Sequence, residues 1–135
     1  THNDTPFNNQ FRVYPVPMPD SISFAREQVP LNRLGVKEGL EQEMLVNTYW
    51  QSQTLLIMKR AHRYFPLISS ILRKDSIPDD FKYLALAESG LGYKVSNAGA
   101  AGFWQLMKST AKDYGLTINK DVDERYNLVK STEAA

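Results

Sequence analysis

The stretch "LALAESGLGYKVSNAGAAGFWQLM", residues 84–107, contains a single carboxylate, Glu88. Leu and Ala precede it, and Ser89 and Gly90 follow. The pattern predicts a helix over residues 81–88 that stops at Gly90, which places Glu88 in the last helical turn. Backbone carbonyls at that end disfavour an anion by about 0.3–1 kcal/mol. Leu84, one turn back, and Leu91, just beyond, are expected to add apolar cover. Both influences favour a protonated carboxyl, the form that can protonate a leaving-group oxygen. The plainer reading is a solvated surface glutamate, because Glu is almost never buried unpaired.

The neighbours widen the choice. The Ser89 hydroxyl can donate to a carboxylate or to a substrate group. Residues 96–105 hold five Gly or Ala, which suit either close backbone approach to a ligand or a tight turn against a helix. Gln105 is an amide bracketed by Phe103, Trp104, Leu106 and Met107. It fits a grip on the acetamido and hydroxyl groups of a sugar, and equally a core-edge amide bonded to backbone. No second acid lies in this block, whereas most glycosidases use two. Asp79 and Asp80 read as caps of the helix that carries Glu88. His2 and His62 have no companion ligands at metal spacing, so neither a metal nor another cofactor is expected.

These groups need helices to hold them. Leu40, Met44, Thr48, Leu55, Met58 and His62 recur at three- and four-residue steps, predicting one long amphipathic helix over about residues 37–64. On it, Tyr49 and Trp50 read as core, His62 as core edge, and Lys59, Arg60 and Arg63 as a solvated face. Pro66 suits the first turn of a second helix reaching about Arg73. Further helical segments are expected over 103–107 and 109–114, with Gly115 as the stop, then a loop. A last helix is expected to start with Ser131 as N-cap and Glu133 in its first turn. No alternating strand pattern emerges, so the class is all-α. Pro6, Pro15, Pro17, Pro19 and Pro30 make residues 1–33 an extended arm with at most one short strand or helical turn. The arm is expected to pack over a helical domain of residues 34–135. A chain ending inside an expected helix reads as a fragment.

Composition narrows the class. A net charge of +1 without a basic run argues against nucleic acid. With no cysteine, a disulfide framework and thiolate metal sites are excluded. At 135 residues the chain is long enough for one hydrophobic core without such staples.

Several stretches together resemble the lytic transglycosylases, whose fold is similar to goose-type lysozyme, and most nearly their membrane-bound murein transglycosylase D type. "AESGLGYKVSNAGAAGFWQLM" looks like the family's Glu-Ser motif followed by its Ser-x-x-Gly-Ala-x-Gly-x-x-Gln-x-Met block. "KSTAKDYGL", "DVDERYNLVKSTEAA" and "MLVNTYWQSQTLLIMKRAHRYFP" also look family-typical, and the resemblance spans roughly residues 30–135. Phe103-Trp104 stand where the family usually has Leu-Met, a replacement typical of the D type. The resemblance implies Glu88 as catalytic acid/base and Ser89 as its hydrogen-bonding companion. It implies Gln105 and Met107 lining a saccharide groove, with Ser96 shaping the loop between. Family members place a Tyr from a later helix against the catalytic Glu, and this chain ends at Ala135, before that position.

The implied reaction is cleavage of the β-1,4 bond between N-acetylmuramic acid and N-acetylglucosamine in peptidoglycan, without a cofactor and with a 1,6-anhydro product. The rivals are a hydrolytic muramidase on the same fold and, for this fragment, a non-catalytic glycan-binding module. The resemblance further implies a periplasmic monomer acting on glycan strands, with any outer-membrane anchor lying outside this chain.

Overall fold

The computed structural model describes residues 14–135. The first part of the expected arm, with His2, lies outside the described residues. Within the rest of the arm, β1 (Ser23–Phe24) and β2 (Glu27–Gln28) form a minimal antiparallel hairpin. Its two turn residues, Ala25 and Arg26, have φ of 50° and 71°, the positive values that a tight two-residue hairpin loop requires. The hairpin is fastened to the helices at two points. Ala25 N donates to Asp80 Oδ2 at 2.9 Å, and Phe24 meets the Phe81 ring edge-on at 5.6 Å.

Two long helices follow, α1 (Leu34–Tyr49) and α2 (Gln51–Lys74). The single long helix expected over residues 37–64 is broken at Trp50, whose φ of −89° and ψ of 57° leave the helical region. The break falls where the apolar spacing drifts. No residue of α1 is buried, and Tyr49 and Trp50 are 41% and 60% exposed rather than core. With no core face demanding continuity, one residue suffices to turn the chain. At Pro66 the opposite happens, and α2 runs through it to Lys74. Proline costs a mid-helix hydrogen bond, but Ile68, Ile71 and Leu72 just beyond are all buried, and tertiary packing of that face outweighs local propensity.

A short 3-10 turn, Asp79–Phe81, leads into α3 (Lys82–Ser89). Neither aspartate caps it as expected: Asp80 receives the hairpin, and Asp79 pairs with Lys82. The core gathers Ile68 and Leu72 of α2, Ala85 of α3, and Leu91 and Phe103 of the following loop. A second cluster joins Ala111 of α4 (Lys108–Asp113), Leu116 and Ala134. Residues 103–107 are not helical. They form a turn closed by the Ala101–Leu106 bridge, and the positive φ of Gly102 and Gln105 is incompatible with a helix. After the 3-10 turn Glu124–Tyr126, α5 (Leu128–Glu133) packs back on α2. Its N-cap is Asn127, whose side chain accepts from Lys130 N at 3.1 Å, while Ser131 is buried inside the helix. The expected start was thus four residues late. The all-α class holds, with the small hairpin as its one departure among the described residues.

Candidate active site

Helix α3 ends at Gly90, whose left-handed φ of 61° lets its N–H reach back to Leu86 O at 2.7 Å. In the turn before it, Glu88 is exposed. Leu84 is 42% exposed as well, so of the two expected covering leucines only Leu91 is buried, and the expected shielding of the carboxyl does not form.

Ser89, the adjacent residue, is completely buried. Its hydroxyl has one proton to give, directed toward Phe103 O at 2.9 Å or Ala85 O at 3.0 Å, and it accepts from Gly92 N at 3.3 Å. Those partners are all backbone groups. Instead of meeting the Glu88 carboxylate, Ser89 rivets the end of α3 to the loop that follows.

That loop, residues 90–107, is a set of turns fixed by backbone pairing. Ser96 closes one of them: its N–H donates to Ala100 O at 2.8 Å and its Oγ accepts from Ala100 N at 3.0 Å. Gln105 sits at φ 49° and donates its amide N–H to Gly102 O at 2.8 Å and Lys94 O at 3.0 Å. Among the described residues its Oε1 makes no hydrogen bond, so the amide braces the loop through its nitrogen alone. Met107 is 42% exposed at the entry to α4.

Sequence reasoning passed over the residue that organises this loop. Arg125 is 3% exposed. Its Nη1 donates to Gly99 O at 2.8 Å and Leu106 O at 3.0 Å, while Nε and Nη2 fork onto the Asp123 carboxylate. The fork holds the Asp123 carboxyl below its ordinary range and raises the Arg125 guanidinium further. Gly102 packs so tightly here that a Cβ on it would stand 2.0 Å from Arg125 O. From the far side, Trp104 Nε1 donates to Thr132 Oγ1 of α5 at 2.9 Å. The only advance signal was the Asp-x-Arg spacing at 123–125, and nothing in it says that the arginine is buried. Arg60 was misread in the same way: its Nη1 donates to Gly90 O at 3.1 Å, tying α2 to the end of α3.

The site residues are therefore an exposed acid at a helix terminus, and a hydrogen-bonded small-residue loop that carries Ser96 and Gln105 and leads to Met107. Residues 67–135, just over half the chain and the segment holding all of these groups, match the family model described as the Transglycosylase SLT domain. The chain belongs to that family. Membership bears out the lysozyme-like helical class. Over 101 residues the chain is also 32% identical to the membrane-bound lytic murein transglycosylase D of Escherichia coli, in two strains. The aligned region covers 74% of this chain and 22% of each relative, so the chain spans about a fifth of the length of these relatives. No solved structure matches.

Proposed function

We propose that this domain is a peptidoglycan lytic transglycosylase in which Glu88 acts alone as acid and then as base. The observation that carries this reading is that Glu88 is the sole carboxylate between Asp80 and Asp113, within the span that matches the family. A single acid suffices if the sugar supplies the remaining groups. Glu88 gives its proton to the glycosidic oxygen between N-acetylmuramic acid and N-acetylglucosamine as the bond to C1 breaks. The 2-acetamido group supports the positive charge that develops at C1. The Glu88 carboxylate then takes the proton of the C6 hydroxyl as that oxygen bonds to C1, closing a 1,6-anhydro ring and returning the acid to its starting state. No water is consumed.

The exposure of Glu88 fits this scheme once a glycan strand lies over it, because the sugar itself then excludes water from the carboxyl. On this reading Gln105 Oε1 accepts from a sugar N–H or O–H, and Met107 offers a soft apolar surface to a ring face. Ser96 acts by holding the loop, and Ser89 by seating the helix end. On this reading the chain works in the periplasm, where glycan strands lie; the two relatives are named as membrane-bound. No helix among the described residues is long and apolar enough to cross a membrane.

Mass spectrometry of muropeptides released from purified sacculi tests the reaction. Anhydro ends are expected, and reducing ends heavier by one water would establish a hydrolase instead. Glu88→Gln should lower turnover by about 10²–10⁴-fold while glycan binding persists. Equal activity of both proteins would remove Glu88 from the mechanism.

A further inference from the structure

A few residues past Glu88 in the chain, the segment that follows α3 borders a recess. A cleft of about 320 Å³ opens between α2 and the segment after α3, with Lys59, Arg60, Arg63, Tyr64, Leu91 and Tyr93 among its eight lining residues. Three of the eight are cationic. A fourth cation adds to them, because a Cβ built on Gly90 would lie 3.9 Å from Lys94 Nζ and 3.8 Å from Arg60 Nη1. None of the four enters an ion pair among the described residues. Arg60 is anchored on Gly90 O, and Arg63 lies 6.0 Å from the centre of the Tyr64 ring. Tyr93, 65% exposed, is braced against Phe103 at 5.1 Å. In a chain of net charge +1, such a gathering of unneutralised cations on one aromatic-walled recess is a local field suited to an anion.

We propose that this cleft is a subsite for the carboxylates of the peptide stem carried by the glycan. The assignment rests on the peptidoglycan reading above and deepens it. Glu88 and Gly92 are four residues apart, so their Cα atoms lie within about 14 Å of each other. A substituent on a sugar near Glu88 therefore falls within reach of the cleft. Free carboxylates are the chemistry that forked guanidiniums recognise, and the aromatic walls suit the peptide's aliphatic parts. Glycan stripped of its stems keeps only the single lactyl carboxylate at each muramic acid, against the several carboxylates carried along a stem.

The test uses the chain bearing Glu88→Gln, which halts turnover, and measures equilibrium binding to two soluble ligands. One is glycan strands with their peptide stems, and the other the same strands stripped of stems by an amidase, which leaves one lactyl carboxylate on each muramic acid in place of the several on a stem. Stem-bearing strands should bind about three- to tenfold more tightly, the size expected of two rim ion pairs, with the preference shrinking as salt rises. Adding Lys59→Gln and Arg63→Gln, both at exposed positions on α2, should bring the affinity ratio close to one, with an unchanged helical circular-dichroism spectrum as the folding control. Three results would overturn the subsite: equal binding of the two ligands by the Glu88→Gln chain, an undiminished ratio in the triple variant, or capture by phosphatidylglycerol vesicles with no discrimination between strands. Product analysis of the unsubstituted chain is read separately. A chain that prefers stems yet releases no anhydro product would defeat the reaction and leave the subsite standing.

Discussion

Glu88 and Ser89 are neighbours in sequence and opposites in surroundings, one open to solvent and the other with no exposed surface at all. The place of the acid in the last turn of α3 was legible because Gly90 stops the helix two residues on. The serine's role was not, because adjacency in a motif suggests partnership with the acid, whereas the last turn of α3 rotates the two side chains into different environments. Ser89→Ala removes a hydroxyl that serves a backbone N–H and two carbonyls. It should lower stability by about 1–2 kcal/mol in urea unfolding, with a smaller loss of turnover than Glu88→Gln. Gln105 fits the backbone-bonded amide that its sequence context allowed, since its amide N–H groups donate to Gly102 O and Lys94 O. Arg125 was illegible for a different reason. Its carbonyl partners lie 19 and 26 residues away, and no local pattern announces a contact of that kind.

At the scale of elements, the helices were legible where an apolar face is buried and misjudged where it is not. Residues 81–88 were read nearly to their boundaries, and the Gly90 stop was found, because Ala85 and Leu91 pack into the core and the terminator is a glycine. The break at Trp50 and the continuity through Pro66 ran against local signals, each decided by whether neighbouring residues have something to pack against. The turn at 103–107 was read as helix because its apolar residues mimic a helical face. What prevents a helix there is Gly102, at φ 79° and pressed against the Arg125 backbone. Gly102→Ala has no flexible side chain to displace, and should destabilise the protein by at least about 2–3 kcal/mol. Chemical denaturation is the check; a stability unchanged within 0.5 kcal/mol, the scatter of ordinary surface substitutions, would show that the two segments can part freely.

For the whole molecule, the Arg125–Asp123 pair sets an acid limit. The Asp123 carboxyl is held below its ordinary range chiefly by its hydrogen bonds from Arg125. A lowered folded-state value means that the unfolded chain binds the proton first, so stability from this pair is complete above about pH 5 and is lost as pH falls below about 4. Asp79 is lowered too, by Lys82, but at an exposed position where solvent screens the effect. Thermal melts from pH 6 to pH 2 should therefore fall less steeply for Asp123→Asn than for the parent, from a lower starting Tm. Parallel curves would place the acid sensitivity elsewhere. Overall, the family-level architecture was readable because many weak signals agreed, while the assembly of the loop depended on contacts between distant segments.

The 2.0 Å approach at Gly102 also bears on how this domain can be rebuilt. Residues 94–107 and 123–127 interlock like a key cut for one lock, so neither can be traded for a homologous version without the other. A chimera that imports the first segment alone inherits a mismatched seat for its central turn, and libraries that vary either segment will yield folded protein only when both travel as one cassette.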